Sequence, residues 1–282
     1  LNGRYEREGE CRKLALATWQ MNPEVDYLIG KILSQHYRFA EAVRYLRRSL
    51  RLDPSYLPAK FQLAQDLLRS GQDDEGWSLV DQVAEADRYN VVAFNLKTLQ
   101  EQLSQFTTLQ RDGLIVRMDT RESRIYGERV LELISEARQV LCAKYEHELI
   151  EPVTVEIFPR QSDFAIRTFG LPGGAGFLGV CFGSLITANS PASQGNAPTN
   201  WESVLWHEFC HVVTLQKTHN RMPRWLSEGI SVYEEVERDS SWGQSLTPAN
   251  KQMLLGEDFV PLSNLSGAFL QPKSGLHLQF AY

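Results

Sequence analysis

The first hundred residues repeat with a period of 34, and that period constrains the fold more than any other feature of the chain. Gly30 recurs as Ala64, Ile29 as Leu63, Leu33 as Leu67, Val43 as Trp77, Leu46 as Val80 and Asp53 as Asp87. Small and apolar residues at such offsets fit a helix-turn-helix unit. A small side chain lets two helices approach, and an Asp-Pro or similar pair ends the second helix. Two units then cover roughly residues 24–90. ECRKLALATWQMNP before them reads as the last helix of an incomplete unit, and Val91 to about Leu103 as a capping helix. The period slips at the front, where Pro23 precedes Pro54 by 31 residues instead of 34. Stacked units bury a core only against one another, so so short an array is expected to lean on the rest of the chain or to continue upstream.

These repeats resemble the tetratricopeptide repeat, which implies a concave surface suited to a protein partner. From Phe106 the helical period gives way. FTTLQRDGLIVRMD reads as two strands joined by an Arg-Asp-Gly turn, and ESRIYGERVLELISEARQVLCAKYEHEL as a long amphipathic helix. PVTVEIF alternates as a strand, and a glycine-rich stretch leads into a strand from Val180 to Thr187. The expected fold class is α+β, with helical repeats over residues 1–103 and a second domain over 104–282. With 282 residues, 43% of them hydrophobic, the chain can supply both cores.

Composition removes several functions. A net charge of −6 argues against a nucleic-acid partner, and the one basic run, RYLRRSLR, alternates with apolar residues like a solvated helix face. No apolar run is long enough to span a membrane. The glycines of GLPGGAGFLGVCFG are not followed by Lys-Ser or Lys-Thr and lack the GxGxxG pattern, so they do not read as a phosphate loop. Cys11, Cys142, Cys181 and Cys210 form no CxxC pair, and Cys210 reads as a packing residue. The chain begins at Leu1, so a signal peptide would lie outside it, and the compartment, cytoplasmic or periplasmic, stays open.

The chemistry concentrates in WHEFCH, residues 206–211, and PRWLSEGISVYEE downstream. Thr199 and Glu202 have the spacing of a capping box, so a helix is expected to begin near Asn200. His207 and His211 then lie one turn apart on one face, where both imidazoles can reach one ion. Glu208 projects beside that ion, within reach of a bound water. A third ligand is needed. The metzincin pattern would place glycine at 214 and histidine at 217, where the chain has Thr214 and Lys217. His219 falls in the polar turn KTHNRMP and reads as a solvated histidine. Glu228 is the better candidate: it lies early in a helix opened by Pro223, between Leu226 and Ile230, and a carboxylate turned inward there needs a cation. The competing reading makes it a surface carboxylate like Glu234, Glu235 or Glu237.

HEFCH and WLSEG, with sixteen residues between His211 and Glu228, resemble the gluzincin pattern. Together with RTFGLPGGAGFLGVCFG they are similar to the peptidase MA-like family of bacterial metallohydrolases, whose members often carry tetratricopeptide repeats upstream. The resemblance covers about Gly113 to Tyr282. It implies a thermolysin-like fold, Zn²⁺ held by His207, His211 and Glu228, Glu208 as general base, a peptide or protein substrate, and an edge strand along the cleft. It also implies an oxyanion donor beyond the third ligand, for which Tyr233 and Tyr282 are candidates, with the domain expected to continue past Tyr282. One departure stands out: thermolysin-like enzymes place an aspartate four residues after the glutamate, where this chain has Val232, so the group orienting a histidine must come from elsewhere. Two other readings remain open on sequence, a catalytically silent repeat-based binding module that keeps its zinc, and a purely structural zinc site.

Overall fold

In the computed structural model, described over residues 5–150, 152–173, 176–195, 199–243, 247–256, 259–261 and 264–265, the first half of the chain is a stack of helix pairs. After α1 (Tyr5–Thr18) come α2 (Pro23–Gln35) and α3 (Phe39–Leu52). Their boundaries return 34 residues later as α4 (Leu57–Arg69) and α5 (Asp73–Ala86), and those of α4 return once more as α6 (Val91–Leu103). Local chemistry sets these limits. Asn22 caps α2 by accepting from the Glu24 amide, with Pro23 at the first helical position, and Asn90 caps α6 by accepting from Ala93. Asp53 and Asp87 close α3 and α5 at equivalent positions. Gly30 marks a close helix approach, since a Cβ there would come within 2.8 Å of Leu46 Cγ.

Three residues after α6 the chain enters a five-stranded sheet of order β1-β2-β3-β5-β4. β1 (Thr107–Arg111) and β2 (Leu114–Met118) form a hairpin whose turn residues, Asp112 and Gly113, take φ of 47° and 77°, the mirror-image turn that suits strand twist. α7 (Thr120–Glu122), one π-helical turn (Ser123–Gly127) and α8 (Glu128–Lys144) follow as a single helical run. β3 (Val153–Phe158) pairs parallel to β2, and after α9 (Gln161–Phe169) a short edge strand β4 (Gly179–Cys181) turns back antiparallel onto β5 (Leu185–Asn189). The chain is therefore of mixed α+β class.

Residues 114, 116, 118 and 153, 155, 157 point to one face, where they share a core with Val130, Ile134 and Leu141 of α8 and with Trp206, Phe209 and Val213 of the helix that carries the histidines. Two expectations change here. β3 is buried along its whole length instead of alternating, because α9 and the helix pairs cover its second face: Phe158 packs with Phe164 and Leu99, and Glu156 pairs with Arg167 at 2.7 Å. The strand expected from Val180 to Thr187 is two strands, folded at Gly183, whose φ of 103° suits glycine alone.

The two halves meet over a polar seam. Arg117 pairs with Asp73, Arg167 Nη2 donates to the Leu68 carbonyl at 3.1 Å, and Asn95 Nδ2 donates to the Gly170 carbonyl at 3.2 Å. At a second point Asn220 Nδ2 donates to the Tyr37 carbonyl at 2.8 Å.

Candidate metal centre

α10 (Trp201–Thr218) starts at Asn200, whose Oδ1 accepts from the amides of Glu202 and Ser203. Thr199 thus does not serve as the cap that its spacing suggests, and Glu202 is drawn instead to Arg129 of α8 at 2.7 Å. The helix lies against the sheet, which buries Leu205, Trp206, Phe209, Cys210 and Val213 and leaves His207 and His211 turned toward the next helix. A tight turn follows, with His219 and Asn220 at φ of 51° and 56°, and α11 (Arg224–Arg238) packs alongside.

Where α10 and α11 face each other, three donor atoms converge. Nε2 of His207 and Nε2 of His211 are 3.1 Å apart, and Glu228 Oε2 lies 3.2 Å from the first and 3.3 Å from the second. A tetrahedral ion with bonds of about 2.0–2.1 Å holds its ligand atoms about 3.3 Å apart, so the triangle has the size zinc requires. Among the described residues no other group of three His, Cys, Asp or Glu side chains converges in this way.

The imidazoles are tied back on their outer nitrogens. His207 Nδ1 meets Glu235 Oε1 at 2.6 Å, and His211 Nδ1 meets Ser227 Oγ at 2.9 Å and Ser231 Oγ at 3.3 Å. A carboxylate only accepts, so the His207 proton belongs on Nδ1 and the neutral ring turns the Nε2 lone pair inward. Lone pairs and a carboxylate oxygen this close repel unless a cation or a proton lies among them. Burial opposes a charge on His207, yet its bonds to Glu228 and Glu235 prevail and lift its pKa to about 10. Burial likewise acts to raise Glu228, but the bonds from His207 and His211 hold it below the ordinary carboxylate range. Without an ion, the centre therefore keeps a proton where the cation would sit.

Glu208 lies next to this triangle and beneath the edge strand. A Cβ on Gly179 would stand 2.7 Å from Glu208 Cγ and 2.8 Å from Oε1, so only glycine lets β4 pass so closely over this carboxylate. Burial raises the Glu208 pKa, against the pull of His211 and His207. That direction suits a group that must accept and return a proton. Arg224, one turn before Glu228, places Nε 3.3 Å from Glu228 Oε1, the oxygen turned away from the histidines.

His207, His211, Glu228 and Glu208 thus come together, and other expectations do not. Tyr233 is 52% exposed and carries Lys144 Nζ over its ring at 4.8 Å, because five residues on a helix turn it about 140° from Glu228. Tyr282 lies outside the described residues. His219 caps the C-terminal end of α10 and is exposed, away from the ligands. Glu234 is not a surface carboxylate: it is buried and bound by Lys144 and Tyr145. Nor is Glu235, which takes the orienting role that Val232 cannot. Its signal was present in the sequence, since Glu228, Ser231 and Glu235 follow the i, i+3, i+7 pattern of one helix face.

The chain was compared with family models, with curated proteins and with solved structures, and none of the three comparisons gives a match. The donor set itself defines the class of site: two histidines and a carboxylate around one point, with a further carboxylate beside it.

Proposed function

We propose that the chain is a zinc-dependent metallohydrolase of gluzincin type, acting on peptide bonds, with tetratricopeptide-like repeats ahead of a thermolysin-like catalytic domain. The observation that carries the proposal is the triangle of donors 3.1–3.3 Å apart, with both imidazoles anchored from behind and Glu208 held against the edge strand. The resemblance of HEFCH and WLSEG to the peptidase MA-like family supports the same reading. His207, His211 and Glu228 would hold Zn²⁺, which when bound supplies an acidified water and an electrophile for the carbonyl. Glu235, Ser227 and Ser231 keep the two rings in place, and Arg224 keeps Glu228 in place. Glu208 accepts a proton from the attacking water on its carboxylate and returns it to the leaving amine. A peptide substrate is favoured because β4 ends the sheet among the described residues, and an edge strand next to Glu208 is a place where an extended chain can pair. Among the described residues three side chains converge, instead of the four that close a structural site, which favours catalysis as well.

Two substitutions test the reading on the zinc-loaded protein, assayed against unfolded proteins and peptide libraries. Glu208→Gln keeps every ligand, so zinc stays and hydrolysis falls at least ~100-fold. Glu228→Ala removes a ligand, so zinc and hydrolysis are lost together. Wild-type turnover in Glu208→Gln refutes the general-base assignment. Full zinc occupancy without cleavage of any substrate replaces the hydrolase with the silent binding module.

A further inference from the structure

The turn between α2 and α3 reaches the end of the edge strand from the far half of the chain. Tyr37 sits in that turn at φ 60°, a left-handed backbone that a bulky residue adopts only where its surroundings hold it. Those surroundings belong to the site. Its ring stacks on Phe182, the residue following β4, at 5.7 Å and 22°, and packs on Phe39 at 5.5 Å. Its carbonyl accepts from Asn220, in the turn that joins the two ligand helices, and Arg69 lies over the other partner of the stack, Phe182, at 5.5 Å. The phenol is raised by burial, and Arg224, Arg69, Cys181 and Glu208 are the charges that act on it. Two of these, Arg224 and Glu208, border the ligand triangle. Tyr37 as a whole residue keeps partial exposure, while Phe182 behind it is 6% exposed.

β4 supplies the ruler. Gly179 lies over Glu208 and Phe182 stacks on Tyr37, so the distance from general base to tyrosine is three residues, or about 10 Å of extended chain. A peptide paired along this edge from the reacting bond meets Tyr37 two to three residues away. We infer that Tyr37, contributed by the helical half and backed by the buried Phe182, is a specificity-determining residue that closes one end of the substrate cleft and meets a large apolar side chain of an extended peptide. The helix pairs are then part of the site wall. This inference rests on the hydrolase reading above.

The test uses the full chain loaded with zinc and phosphinic peptides, which anchor on the metal and extend to both sides of it. The parent probe is all alanine, and phenylalanine is introduced at each position in turn. In the wild type, phenylalanine two or three residues from the phosphinate tightens binding about tenfold, the size of one aromatic contact in a desolvated pocket. Tyr37→Gly, which accepts φ 60° without strain, abolishes that gain while zinc content stays unchanged. Tyr37→Trp keeps the aromatic packing and moves the preference to a smaller side chain, a change that a purely structural tyrosine would not produce. Tyr37→Gly retaining the gain, or a wild type indifferent to phenylalanine at every position, overturns the inference and leaves the metal site standing. A wild type that binds neither zinc nor the all-alanine probe overturns the hydrolase reading and this inference with it.

Discussion

Glu235 offers the sharpest test of how the proposed metal centre is built, because it is a carboxylate that lies behind a proposed ligand, with one oxygen on His207 and the other accepting from Ser203 Oγ. Its Oε1 lies 2.6 Å from His207 Nδ1, and the two side chains are 15% and 12% exposed. A charge-assisted hydrogen bond so shielded is worth about 1.5–3 kcal/mol. If most of that is expressed in holding the ring toward the ion, Glu235→Ala weakens zinc binding by about 10- to 100-fold, the usual cost of losing a partner behind a metal-bound histidine. A second effect runs the other way. Glu235 also helps lift the His207 pKa, so removing it eases the proton that zinc must displace. The net loss is therefore smaller at low pH and reaches its full size where His207 is neutral in both proteins. Competition with a chromophoric chelator at several pH values measures this, with Glu237→Ala, an exposed neighbour two residues on, as control. Zinc affinity within twofold of wild type across the range would refute the orienting role.

Three further outcomes follow from the same geometry. Gly179→Ala drives a methyl into Glu208, so hydrolysis is expected to fall at least ~10-fold with zinc content unchanged; activity within twofold of wild type would mean that β4 can move aside. In the metal-free protein His207 holds its proton up to about pH 10, and zinc binding releases it, so log affinity is expected to rise by about one per pH unit from pH 6 to 9; a flat profile would exclude the shared proton. Asp66 is buried between the helix pairs, where desolvation prevails over its bonds to Ser34 and Gln62 and raises its pKa from 3.8 to about 6. Folding therefore takes up a proton between these values: stability is full below about pH 4, declines from there to pH 6, and above that is lower by about 3 kcal/mol. Asp66→Asn is expected to recover much of this at pH 7 and nothing at pH 4, read from urea unfolding at both; equal effects at the two pH values would show that Asp66 is not the group responsible.

What could be read from the sequence was local, and what could not depended on distance. Helix limits in the first half follow from the 34-residue spacing and from caps such as Asn22 and Asn90, all set by neighbours within a few positions. The shared face of His207 and His211 likewise follows from one turn of helix. Burial of Thr154 and Glu156 could not be read, because the layer that covers them is built some eighty residues earlier. Glu235 looked like its exposed neighbours because its role depends on the angle at which α11 meets α10, although its spacing from Glu228 carried the signal. Tyr37 gave no signal. Its partners Phe182 and Asn220 lie 145 and 183 positions away, and only the fold brings them together.

The seam between the halves also changes what the helix pairs are for. The two periods change over near residue 104, which by itself suggests a module that could be detached. Yet the side chains of Arg167 and Glu156, each 1% exposed, pair in a place that is dry only because the helix pairs cover it. A buried ion pair is favourable only when its remaining hydrogen-bonding groups are satisfied, and Arg167 completes its set on the Leu68 carbonyl and lies over Trp77. Arg117 finds Asp73 across the same seam, and Phe158 and Phe164 complete their packing on Leu99. The sheet thus has a second face that stays dry under the helices. A layer that the strands require for burial also reaches the end of the edge strand through Tyr37, so the inferred cleft wall and the covered face of the sheet depend on the same helices.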